Sequence, residues 1–132
     1  MKYWLFPCNP NQYDLQGVFE EFDKVEWQQR VKNIEVGDMV FIYVGRPFSA
    51  VQLVCEVIEV NIPKELRTAN DETYIKDELL NKKIKRSNAV MLKKVKWINV
   101  GLDELKNNGL IGNVQGQRTF DGQLLDFLLK KI

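Results

Sequence analysis

The residues that could carry chemistry in this 132-residue chain are defined as much by a missing type as by those present. There is no histidine, so the side chain that shuttles protons near neutral pH is lacking, and every imidazole-dependent triad with it. The two cysteines, Cys8 and Cys55, form no C-x-x-C pair and, without histidine, compose no ordinary zinc site. A nucleophilic Cys8 would need some source of a low thiol pKa other than imidazole. Adjacent acids at Glu20-Glu21-Asp23 and at Asp71-Glu72 read as solvated surface. Asp38, Glu56 and Glu59 lie in or beside strand-like stretches, a thin basis for the carboxylate set of a metal-dependent nuclease. Neither glycine-rich phosphate motif is present, and the single glycines of VGDM and QGQR mark turns. The residues therefore predict no catalytic constellation, no cofactor and no metal.

What remains is a set of flat rings and amides: Tyr3, Trp4, Trp27, Tyr43, Phe48 and Trp97, with Asn9, Gln28, Gln29, Gln115 and Gln117. Trp4 and Trp97 lie in strand-like patterns and are expected in the core. Trp27 stands among amides and charges in VEWQQRVKN, where no periodicity demands a core aromatic. It either plugs one end of a barrel or offers an indole face to a planar ligand such as a nucleobase. Amides carry donors and acceptors together and can read a base edge, although a solitary surface amide means nothing. The one concentrated basic run, KKIKR with Lys82, Lys83, Lys85 and Arg86, is either a solvated face or a contact for backbone phosphates.

The elements that must position these residues follow from periodicity. The opening KYWLFPCNP reads as a strand stopped by Pro7, leaving Cys8 and Asn9 in a turn that is either a packing stop or a pocket floor. Leu15, Val18, Phe19 and Phe22 have helical spacing behind an Asp14 cap, predicting a helix that ends near Lys24, with EWQQR as connection. A VGD turn launches a strand over Met39 to Val44, and VQLVCEVIEVNI is a strand apolar on both faces or interrupted by a bulge. Residues 63 to 88 form a polar surface excursion with a short helix. AVMLKKVKWINV resumes strand character, GLDELKNNG is a short helix stopped at Asn108-Gly109, and NVQGQRTF is a loop or short strand. DGQLLDFLLKKI closes the chain as an amphipathic helix with Leu124, Leu125, Leu128 and Leu129 in its stripe. The absence of regular βαβ alternation argues against a doubly wound sheet. The pattern predicts an α+β fold: a small mixed β-barrel with flanking short helices, in one domain over 1–132.

The totals, 45% apolar and 28% charged, suit a globular domain, and a formal net charge of +1 excludes global attraction of polyanions. Nucleic-acid binding would have to come from a local patch or a shaped pocket. No signal peptide and no run of about 20 apolar residues is visible, so a cytoplasmic, reduced protein with free thiols and no membrane partner is expected.

In order and spacing, YWLFPCNP, the isolated Trp27, VGDMVFIYVG and CEVIEVNIP resemble the EVE domain of the PUA-like superfamily, related to YTH and ASCH domains. NVQGQR is similar to that family's late Gln-Gly-Arg element. The resemblance implies a PUA-like mixed β-barrel holding a pocket for a modified nucleobase, flipped out of its helix. Carried over by position, Trp27 is a stacking wall, and Tyr43 and Val44 line the pocket at a strand end; Gln28, from the amide set, is expected to join them in contacting the base. Cys8 and Asn9 occupy the turn where the family usually has Ser and Glu, so the base edge read here would differ from the usual one. Arg118, in the late element, joins Lys82, Lys83, Lys85 and Arg86 as an expected phosphate contact.

PCNP and YVGRPFSA look closest to EVE modules of modification-dependent restriction enzymes. That likeness implies a reader of 5-methylcytosine-like or hydroxymethylated bases, with DNA favoured over RNA. It also implies a nuclease domain or subunit as partner, the chain being the N-terminal reader of a longer protein. The rival expectations are an RNA-binding YTH-like module, a small nucleotide-acting enzyme using Asp38 or Cys8, and an interaction domain with an empty pocket.

Overall fold

Alternation of apolar residues along the first strand builds two cores at once. In the computed structural model, which describes residues 1–132, β1 spans Tyr3–Cys8 and lies parallel to β3, Met39–Val44. Trp4, Phe6 and Cys8 of β1 and Val40, Ile42 and Val44 of β3 enter one core, while Leu5 and Phe41 between them enter a second on the opposite face. Each strand is therefore apolar throughout, as strands buried on both faces are.

The long strand β4, Ala50–Ile62, pairs antiparallel with β3 and with the equally long β5, Ala89–Gly101. Val51 and Val54 face the second core, but Leu53, Cys55 and Val57 face the first. Strict alternation would put Val51 and Leu53 on one face. The register shift against β5 between Val51 and Leu53 exchanges the faces, which is what one extra residue does to a two-residue period. The expected bulge is present.

The first core is covered by α1, Leu15–Glu21, through Leu15, Val18 and Phe19. The second is covered by α3, Leu102–Asn107, and α4, Gly122–Leu129. Asp14 caps α1 by accepting from Gly17 N at 3.0 Å, as its position predicts. Residues 63–88 are the expected surface excursion, with single 3-10 turns at Lys64–Leu66 and Glu72–Tyr74 and then α2, Glu78–Lys85. No helix is long and apolar enough to cross a membrane.

The VGD turn ties the sheet's start together. Gly37 adopts φ +94°, a left-handed conformation that suits glycine. Asp38, 1% exposed, accepts from the Trp4 indole at 2.9 Å, from Lys2 N at 2.9 Å and from Glu35 N at 3.0 Å. Burial by itself raises its pKa, but those three donors and the Lys2 charge outweigh it and hold the carboxyl below its ordinary value.

Four expectations are corrected. The sheet order is β2-β5-β4-β3-β1-β6, with β2, Lys24–Gln28, and β6, Arg118–Thr119, as unpaired edges, so strand pairing does not close a barrel. Trp27 lies in β2, opposite Val90, and not in a connection; α1 ends earlier, at Glu21. Trp97 is 36% exposed, because β2 covers β5 only as far as Lys93 and leaves the rest of that edge open. In α4 only Leu124 and Leu128 are buried; Leu129 is exposed and Leu125 intermediate.

Candidate functional site

The open seam of the sheet is where a site forms. A cleft of about 240 Å³ lies between β2, the turn after β1, the inner face of α2 and the segment leading into β6. Trp27 forms one wall, half-buried, with its ring 5.1 Å from that of Tyr13 in an edge-to-face arrangement. One part of the indole packs against the first core and another borders the cleft.

Cys8 is both core and cleft wall. Burial pushes its thiol up to about 12, outweighing the opposing pull of Lys76, so it stays a neutral, small, weakly polar surface near pH 7. Beside it, Asn9 closes a local turn: its Oδ1 accepts from Asn11 N at 3.0 Å and its carbonyl accepts from Gln12 N and Tyr13 N. The side-chain NH₂ of Asn9 remains as a donor at the mouth.

Four of the five amides singled out by type converge on the cleft: Asn9, Gln28, Gln115 and Gln117. Gln29 points elsewhere, exchanging hydrogen bonds with Asn61. Gln28 donates to Ser87 Oγ at 2.9 Å and accepts from the Arg30 guanidinium at 3.2 Å, fixing Arg30 at the cleft's edge. Gln117 spans the seam itself. Its Oε1 accepts from Arg30 N at 2.8 Å and its Nε2 donates to the Gln28 carbonyl at 2.7 Å, so one side chain laces β2 to the approach of β6.

Tyr43 and Val44 do not reach the cleft. Val44 is 2% exposed in the first core, beside Cys8 in the β1–β3 ladder, and Tyr43 packs against the second core on the sheet's other face. Lys82, Lys83 and Lys85 stand exposed on the last turn of α2, and Lys85 pairs with Glu72 at 3.1 Å. Arg86 instead joins Arg30 and Lys32 around an open hollow that shares Arg30 with the cleft. Arg118 is half-buried and donates to the Ile111 carbonyl at 3.3 Å.

Tyr13, Glu26 and Asp71 are among the lining residues that sequence reasoning missed. The Tyr13 hydroxyl donates to Asp71 Oδ2 at 2.9 Å, and both residues are almost fully buried. Burial raises the Tyr13 pKa, with the Asp71 charge adding to it, so the phenol keeps its proton. Burial also raises the Asp71 carboxyl, against the opposing effects of the Tyr13 hydrogen bond and Arg67. Tyr13 carried one usable signal, an aromatic set in polar surroundings like those of Trp27. Asp71 carried none, since an acid in ANDET reads as surface.

A six-stranded mixed sheet with short helices on both faces, and a cleft at its unsealed edge, defines an α+β protein. The chain belongs to the EVE domain family, whose model matches residues 2–119. No curated protein matches the sequence. Among solved structures, a mutant ASCH protein from Zymomonas mobilis superposes with a TM-score of 0.72 at 13% identity, covering 98% of this chain and 95% of that one. Human THYN1, in complex with 5-methylcytosine-containing DNA, gives 0.64 at 13% identity, covering 98% and 96%. A Pseudomonas putida protein gives 0.63 at 16%, covering 97% of each. At these identities the likenesses establish the fold.

Proposed function

We propose that this chain is a non-catalytic reader that accepts a modified base, everted from DNA, into the cleft beside Trp27. The observation that carries the reading is the half-buried indole bordering a cleft that it shares with a neutral thiol and four convergent amides. A base stacks on the ring, polar groups meet its edge, and the small Cys8 side chain leaves room for a substituent. Support also comes from the THYN1 neighbour, a protein of similar fold whose structure holds methylated DNA.

Phosphates flanking the everted nucleotide would run through the hollow lined by Arg30, Lys32 and Arg86. Lys82 and Lys83 on α2 and Arg118 at the far edge are the outer contacts, and Lys85 joins them by giving up Glu72. Discrimination of a single methyl is worth only about 1–3 kcal/mol, so such a reader acts through a partner, and we assign that role to a coupled nuclease.

The test is a titration of modified and unmodified oligonucleotides, as DNA and as RNA, against the wild type and Trp27→Ala. The variant is expected to weaken binding of modified DNA roughly 5- to 150-fold, the range of one lost stacking contact. Equal binding of all the oligonucleotides with no effect of the substitution would refute the reading; a uniform preference for RNA would transfer it to RNA.

A further inference from the structure

Two buried acids, Glu26 and Asp71, line the cleft, and each keeps acceptor capacity that the protein does not fill. Glu26 is 4% exposed and directly precedes Trp27 in β2. Its Oε1 accepts from Thr68 N at 2.9 Å and from Thr68 Oγ1 at 2.6 Å, while Oε2 has no hydrogen-bond partner. Asp71 is 2% exposed; its Oδ2 takes the Tyr13 hydroxyl, its own backbone N–H also donates to the carboxyl, and no other side chain reaches Oδ1. No side-chain nitrogen or oxygen in the protein is both sealed from solvent and unpaired, so Glu26 Oε2 keeps some exposure, and the cleft is the hollow that both acids line. Neither acid forms an ion pair: Arg67, whose charge acts on Asp71, spends its guanidinium on the carbonyls of Ile84 at 2.6 Å and Glu26 at 3.5 Å.

A carboxylate removed from water needs hydrogen-bond donors for all its lone pairs, and here only part of that need is met internally. The missing donors can come from a ligand. The acids are also mechanically joined to the stacking wall, since Glu26 adjoins Trp27 in sequence and Tyr13 both holds Asp71 and packs edge-on against the Trp27 ring. A ring lying on the indole would present its edge to these oxygens.

We propose that Glu26 and Asp71 select a base that carries an exocyclic amine, such as a cytosine derivative, and reject thymine and uracil. Amine hydrogens fill the spare acceptor positions, whereas the carbonyl edge of thymine sets oxygen against oxygen. This deepens the base-reading function and rests on it. A role limited to pinning Thr68 and Tyr13 would use one oxygen of each acid and carry no base preference.

The decisive comparison uses DNA oligonucleotides that differ at one position, 5-methylcytosine against thymine, because these bases share the ring and the methyl group. An N6-methyladenine arm separates cytosine chemistry from amine recognition in general. The wild type is expected to prefer 5-methylcytosine over thymine by about tenfold or more. Glu26→Gln and Asp71→Asn keep the oxygen that accepts from Thr68 or Tyr13 and put NH₂ where the spare oxygen was. Either is expected to cut the preference to within about threefold, partly by gaining thymine; two variants guard against one that folds poorly. Equal wild-type affinity for both bases, with Trp27→Ala weakening both, would overturn the acid-based selection and leave the base reader standing. Full preference retained in both variants would overturn it as well. If no oligonucleotide binding responds to Trp27→Ala, the reader and the selection fall together.

Discussion

Two buried aspartates in this protein respond to pH in opposite directions, and the difference lies in their donors. Asp38 collects three N–H groups, and its pKa in the folded chain falls below the ordinary value. Its stabilisation is therefore present above the unfolded pKa and is lost as pH falls through the depressed folded value. Asp38→Ala is expected to cost about 3 kcal/mol in denaturant titrations at neutral pH, with the deficit shrinking in acid. Asp71 has only the Tyr13 hydroxyl and its own backbone N–H for a buried carboxylate, too little to offset burial, and is shifted up from 3.8. The unfolded chain releases this proton first, so stability declines as pH rises from near 3.8 through the raised value and stays lower beyond it. Asp71→Asn should accordingly melt at a higher temperature than the wild type at pH 7 and show no gain at pH 3. A residue that weakens the fold at working pH while lining the cleft is what a binding role would retain.

At the scale of elements, what could be read in the sequence was set by burial. Strands β1, β3 and β4, apolar on both faces, announce themselves, as does α1 with its cap. The edge strand β2 does not: only Val25 and Glu26 in KVEWQ are buried, and the amides that follow look like loop. That misreading hid the reason Trp27 is so placed, which is that an edge strand presents its ring at the seam. Tyr43 was misplaced because, at the end of a strand buried on both faces, adjacent residues enter opposite cores. The second half of the site lies in residues 63–88, whose polar composition conceals that Asp71, Leu80 and Ile84 turn inward. The Asp14 cap gives a test at this scale. A Cβ on Gly17 would sit 2.3 Å from Asp14 Oδ2 and 2.9 Å from the Tyr74 ring. Gly17→Ala is expected to destabilise by about 1–2 kcal/mol despite alanine's better helix propensity, because it displaces the cap; a thermal melt reads this directly.

For the whole molecule the relevant fact is that the sheet's two edges meet through Gln117 and not through a ladder of backbone pairs. Gln117→Ala removes two hydrogen bonds and should lower stability by roughly 1–3 kcal/mol. It should also accelerate hydrogen exchange at the Arg30 amide while leaving amides of the β3–β4 ladder unchanged. The same amide stands at the threshold of the cleft. Breaking its two hydrogen bonds would loosen the seam there without unzipping any strand. A guest that binds against Gln117 would steady that bridge, and amide protection at both margins is then expected to rise together on binding.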